Sequence, residues 1–106
     1  MIQVVYYRKY NRLTMTGHAG AADPGHDLVC ASASMLAYTL AVNVANMADQ
    51  GQVRQPIIKL GEGDAEISCN PRSNLKHVVS LVFDSICLGF ELLAHDHPAY
   101  ISFEIR

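Results

Sequence analysis

The sequence predicts an α+β domain of order β-β-α-β-β-α-β, with two helices packed on one mixed, largely antiparallel sheet. Three observations carry this. Five short segments rich in β-branched and aromatic residues alternate in character. Two long segments repeat their apolar residues at helical spacing. The strands come as hairpin pairs, each followed by a helix, which is the pattern of helices laid on one face of an antiparallel sheet. At 106 residues, half of them hydrophobic, the chain forms a single domain, 1–106, with a real but limited core.

Residues 2–9 read as the first strand and Tyr10-Asn11-Arg12 as its turn. Leu13 to His18 is the return strand, with Leu13, Met15 and Gly17 on one face and Thr14, Thr16 and His18 on the other. The first helix runs from about Leu28 to Met47, on the repeat Val29, Ala33, Leu36, Leu40, Val44, Met47, and Gly51 stops it. Residues 55–60 form a short strand that Pro56 marks as an edge or a strand start. Gly61-Glu62-Gly63-Asp64 is a hairpin turn, and Ala65, Ile67 and Cys69 line the inner face of the return strand. Pro71 is expected in the first turn of the second helix, whose stripe is Leu75, Val79, Val82, Ile86, Phe90 and Leu93. Residues 100–105 are the last strand, with Ile101, Phe103 and Ile105 inward.

The net charge of −2 argues against a nucleic-acid partner, which would need a basic stripe. Three cysteines without regular spacing fit neither a disulfide framework nor a zinc site, and point to a reducing cytoplasm. Residues 1–10 alternate and carry Arg8 and Lys9 late, unlike a signal peptide. Residues 28–48 carry no charge over the length of a bilayer span, but their alanines, serines and Asn43 and Asn46 favour a buried helix of a soluble domain and no membrane partner.

The chemistry concentrates between Thr16 and Ser34. A strand ends in Gly17-His18, a connector of small and kinked residues follows, and Asp27 opens the first helix as N-cap. This places Cys30 at about the third helical position, where the positive end of the helix dipole favours a thiolate. His18 is then the candidate base. The N–H groups of the first turn, that of Cys30 included, are candidate donors for an oxyanion. Asp27 has two competing roles, capping the helix or orienting His18. Ser34 lies one turn after Cys30, where it either lines a substrate groove or bonds back to the Cys30 carbonyl. His26 is the rival imidazole. Cys69 and Cys87 have no such setting and read as core. A metal held by His18, Asp23, His26 and Cys30 would match no standard zinc pattern, so neither a metal nor a cofactor is expected. His95-Asp96-His97 reads as a polar helix end. The residues themselves leave three classes open: a Cys–His endopeptidase, a non-catalytic peptide-binding module, and a thiol enzyme acting on a non-peptide substrate.

Gly17-His18-Ala19, Gly25, Asp27-Leu28-Val29-Cys30-Ala31 and Ser34 resemble the signature of the bacterial ribosomal-processing cysteine protease family, Prp, and the element order over the whole chain is similar too. His26 and Leu28 depart from that signature, the latter replacing the commoner isoleucine. The resemblance implies a homodimeric protease that removes a short N-terminal extension from a large-subunit ribosomal protein, the twenty-seventh of that series, cutting after an aromatic residue. His18 and Cys30 would be its catalytic pair, Gly17, Asp27 and Ser34 matching other motif positions. Gly17, Gly20 and Ser34 are the candidate substrate-binding residues. The connector 19–26 is expected to act as a lid ordered by substrate.

Overall fold

The computed structural model describes residues 1–20 and 27–106. The expected lid lies mostly on residues 21–26, outside those described, and so do His26 and Asp23.

The strands are β1 (Ile2–Tyr7), β2 (Arg12–Thr16), β3 (Val53–Gly61), β4 (Asp64–Pro71) and β5 (Ile101–Ile105), and the long helices are α1 (Leu28–Asp49) and α2 (Lys76–Asp96). They follow the order β-β-α-β-β-α-β. The five strands form one sheet in the order β3-β4-β2-β1-β5. Every pair is antiparallel except β1 with β5, where Ile2 faces Ile101 and Val4 faces Phe103. The parallel pair follows from the crossover: α2 carries the chain from β4 across the sheet to the far edge.

One face of the sheet holds the core. Ile2, Val4 and Tyr6 of β1, Leu13 of β2, Ile67 and Cys69 of β4 and Ile101 of β5 are all buried there. Helix α1 lies over β3 and β4, α2 lies over β5, and the helices pack on each other. Leu40 and Val44 from α1 and Val79, Phe83 and Phe90 from α2 are fully buried. Phe83 stacks on Tyr6 with ring centroids 5.5 Å apart, and Phe90 on Phe103 at 6.3 Å. At the turn between β1 and β2, Asn11 is buried in a left-handed conformation (φ 44°), and its Nδ2 donates to Tyr6 Oη at 3.2 Å. Burial pushes the Tyr6 phenol up to about 12, against the lowering effect of the Asn11 bond.

Several boundaries differ from expectation. β1 ends at Tyr7, and Arg8–Tyr10 form a 3-10 turn. β2 stops at Thr16 because Gly17 takes φ +94°, so Gly17 and His18 leave the strand instead of ending it. β3 begins two residues early, at Val53, and absorbs Pro56 through a register shift between Arg54 and Ile57, where Gln55 has φ 50°. Pro71 belongs to β4, opposite Val53, and α2 starts only at Lys76 after a 3-10 turn over Ser73–Leu75. The pairing of β2 with β4 ends at Arg12–Ser68, so the missing N–H of Pro71 leaves no gap in that ladder. Phe83 and Cys87 join the buried stripe of α2, and Ile105 is exposed at the end of the edge strand β5.

Candidate active site

The first turn of α1 faces the loop that leaves β2. Asp27 is the N-cap in extended conformation, and its Oδ1 accepts from the Cys30 backbone N–H at 3.0 Å. Leu28, Val29 and Cys30 are therefore the first three helical residues, and Cys30 stands where the helix dipole is most positive. Val29 is buried and fixes the turn against the core, which leaves Cys30 half-buried beside the cleft. Its Sγ accepts from the Ala19 backbone N–H at 3.3 Å. A peptide N–H and the N-terminus of α1 thus both lie beside the sulfur. The bond from Cys30 N–H to Asp27 corrects one expectation: that amide is engaged by the cap and is not an idle oxyanion donor.

His18 follows Gly17 on the other wall and is exposed. The Gly17 N–H donates to the Gly63 carbonyl at 2.9 Å, which ties the end of β2 to the turn between β3 and β4. Gly17 could carry no side chain, because a Cβ there would collide with the Met1 carbonyl oxygen. The imidazole of His18 lies against Gly63, and no hydrogen bond joins it to Cys30 in this structure.

A cleft of about 910 Å³ runs between these walls. All six residues singled out in the sequence line it: Gly17, His18, Gly20, Asp27, Cys30 and Ser34. Ser34 faces the cleft from one turn below Cys30, and the back-bond to a carbonyl belongs instead to Ser32, which donates to Leu28 at 2.7 Å. The floor is apolar, from Ile2, Met15, Ala33, Tyr38 and Leu60. The turn residues Gly61, Glu62 and Gly63 close the far side, and sequence reasoning did not place them at the site. Their only signal was two glycines flanking one polar residue, which reads as any tight hairpin. An open, mostly apolar cleft with a thiol at one wall suits an extended peptide better than a compact metabolite.

The other two thiols lie apart from this cleft. Cys69 and Cys87 are buried, and desolvation pushes them up to about 11 and about 12, with Asp84 adding to the rise at Cys87. Among the described residues no group of three His, Cys, Asp or Glu side chains could hold a metal ion.

The family model described as cysteine protease Prp matches residues 1–102. The chain belongs to the cysteine protease Prp family. Solved structures share the fold over nearly the whole chain. An essential ribosomal processing protease Prp from S. aureus, in complex with a covalently linked product peptide, superposes with a TM-score of 0.79 at 20% identity, covering 100% of both chains. The same protease with a substrate peptide gives 0.67 at 16% identity, covering 99% of this chain and 97% of that one. SMU.848 from Streptococcus mutans gives 0.69 at 26% identity, covering 99% and 93%. A comparison with curated protein sequences finds no match. Prp membership selects the cysteine protease among the three classes that the residues left open.

Proposed function

We propose that this Prp-family protease is a Cys30–His18 endopeptidase that removes the N-terminal extension of a large-subunit ribosomal protein, the twenty-seventh of that series. One observation carries the assignment of the nucleophile: Cys30 stands at the third position of α1 with its sulfur receiving the Ala19 N–H at 3.3 Å, in the cleft that also holds His18. The solved relative from S. aureus is a ribosomal processing protease captured with substrate and product peptides, which supports a peptide of ribosomal origin here.

In the proposed reaction His18 takes the proton of Cys30, and the thiolate attacks the scissile carbonyl carbon. The resulting tetrahedral oxyanion needs donors. Because Asp27 engages the Cys30 amide, the Ala19 N–H, already aimed at the sulfur, is the donor assigned to it. Collapse breaks the C–N bond, His18 protonates the leaving amine, and a thioester remains on Cys30. Water, deprotonated by His18, then releases the acid. The apolar floor formed by Ile2, Met15 and Leu60 suits a large apolar side chain before the cut.

The protein is further proposed to be a cytoplasmic homodimer that binds neither nucleic acid nor membrane. Both helices are long and apolar enough to cross a membrane, with mean hydropathy 1.7. In this fold, however, their inner faces cover the sheet. Large apolar side chains remain outside: Met35, Tyr38 and Val42 on α1, Leu81, Leu88 and Leu92 on α2. A second copy is the occupant that would cover such a surface. Three free thiols suit a reducing compartment.

The test is mass spectrometry of the ribosomal protein after incubation with the wild type, Cys30→Ala and His18→Ala. The wild type should release one N-terminal fragment and both variants none. Cleavage by Cys30→Ala at the wild-type rate would refute the proposal.

A further inference from the structure

The Gly63 turn meets the imidazole of His18 directly. An ideal Cβ on Gly63 would lie 2.6 Å from His18 Nε2, 3.1 Å from Cε1 and 3.3 Å from Cδ2. The ring presents its whole outer edge to a bare backbone. The Gly17–Gly63 hydrogen bond fixes the distance between this turn and the residue preceding His18. On the Gly17 side there is no room for a side chain, since a Cβ there would collide with the Met1 carbonyl oxygen. We infer that Gly63 is a positioning residue: its missing side chain leaves the space that the His18 ring occupies on the cleft wall, the place from which it serves Cys30. This rests on the reading of His18 as the base.

A methyl group at 63 needs about 3.5–4 Å to the ring atoms. The imidazole would therefore move by about 1 Å, because the turn is held by the hydrogen bond to Gly17. A displacement of that size at a catalytic group costs about 100-fold in rate.

A glycine with positive φ also resists substitution for a purely conformational reason, and the protein contains its own control. Gly51, just past the end of α1, has φ +71°, the same as Gly63, and a Cβ there meets nothing within 4 Å. Gly51→Ala carries the backbone strain without the collision. The difference between the two variants isolates the contact with His18.

The experiment compares wild type, Gly63→Ala, Gly51→Ala and His18→Ala for melting temperature, for kcat and KM on the ribosomal N-terminal peptide, and for the pH dependence of Cys30 alkylation. Gly63→Asn is included because asparagine accepts the left-handed conformation at lower cost yet still carries a Cβ, so it folds if Gly63→Ala is too strained. Gly63→Ala and Gly63→Asn should lose about 100-fold in kcat with KM little changed. Their pH profile of alkylation should move toward that of His18→Ala. Gly51→Ala should lose stability and retain both kcat and the profile. If His18→Ala itself alkylates like wild type, the Cys–His reading fails and this inference with it. If His18→Ala is impaired while the Gly63 variants track Gly51→Ala, the pair stands and the positioning role is overturned.

Discussion

Replacing Asp27 separates capping from catalysis. Its Oδ1 accepts the Cys30 N–H at 3.0 Å, so Asp27→Ala leaves a donor of the first turn without its side-chain partner. Loss of an N-cap costs about 1 kcal/mol. That is about a five-fold fall in the ratio of folded to unfolded chain, and about 5 °C in Tm for a domain of this size. Asp27→Asn keeps an oxygen that can accept the same bond and should lose only a few tenths of a kcal/mol. It also keeps the capping bond that holds the Cys30 turn, so alkylation of Cys30 should not slow. The assay is urea unfolding of the two variants beside wild type, with cleavage measured at a temperature where all are folded. If Asp27→Ala is as stable as wild type, the cap reasoning is wrong. If Asp27→Asn keeps full stability but loses cleavage, orienting His18 is the role of Asp27 that matters.

Alkaline pH should destabilise the fold. The folded chain holds the Cys69 proton to about 11 and those of Cys87 and Tyr6 to about 12, against 9.0 for an unperturbed thiol and 10.0 for tyrosine. Above pH 9 the unfolded state binds fewer protons, so stability falls with rising pH, by up to about 1.4 kcal/mol per pH unit for each group within its window. Calorimetry across that range checks this, and a Cys69→Ala/Cys87→Ala variant should show a flatter decline. Phe83→Ala removes the ring stacked on Tyr6 and should cost about 3–5 kcal/mol in urea unfolding. Light scattering should give the mass of a dimer at micromolar concentration, and Leu92→Glu or Met35→Glu should shift it toward monomer. A wild-type monomer would contradict the dimer.

Periodicity made most of this fold legible. The α1 stripe is buried at Val29, Ala33, Leu40, Val44 and Met47, because a helix lying on a sheet shows its inner face in its repeat. The ends of elements were harder to read. Pro71 looked like a helix-starting residue, and only the short reach of β2 shows why a strand can hold it. Phe83 escaped the α2 stripe since a broad apolar face admits more than one periodic path along the helix. At the site, residues close in sequence were readable: Asp27 and Cys30 lie within one turn, and capping rules place them. The engaged Cys30 amide could have been foreseen from that same cap. The contact between His18 and Gly63 spans 45 residues of chain and depends on how β4 pairs with β2, which no local pattern encodes.

Time-resolved alkylation with iodoacetamide, read at each cysteine by tandem mass spectrometry in wild type and His18→Ala, tests the nucleophile assignment most directly. Cys69 and Cys87 are buried and hold their protons well above neutral pH, so at neutral pH the native protein should label at Cys30 alone. Labelling should be fast, and His18→Ala should slow it strongly. Labelling of all three thiols at similar rates, or a Cys30 rate unchanged by His18→Ala, would contradict a Cys30–His18 catalytic pair.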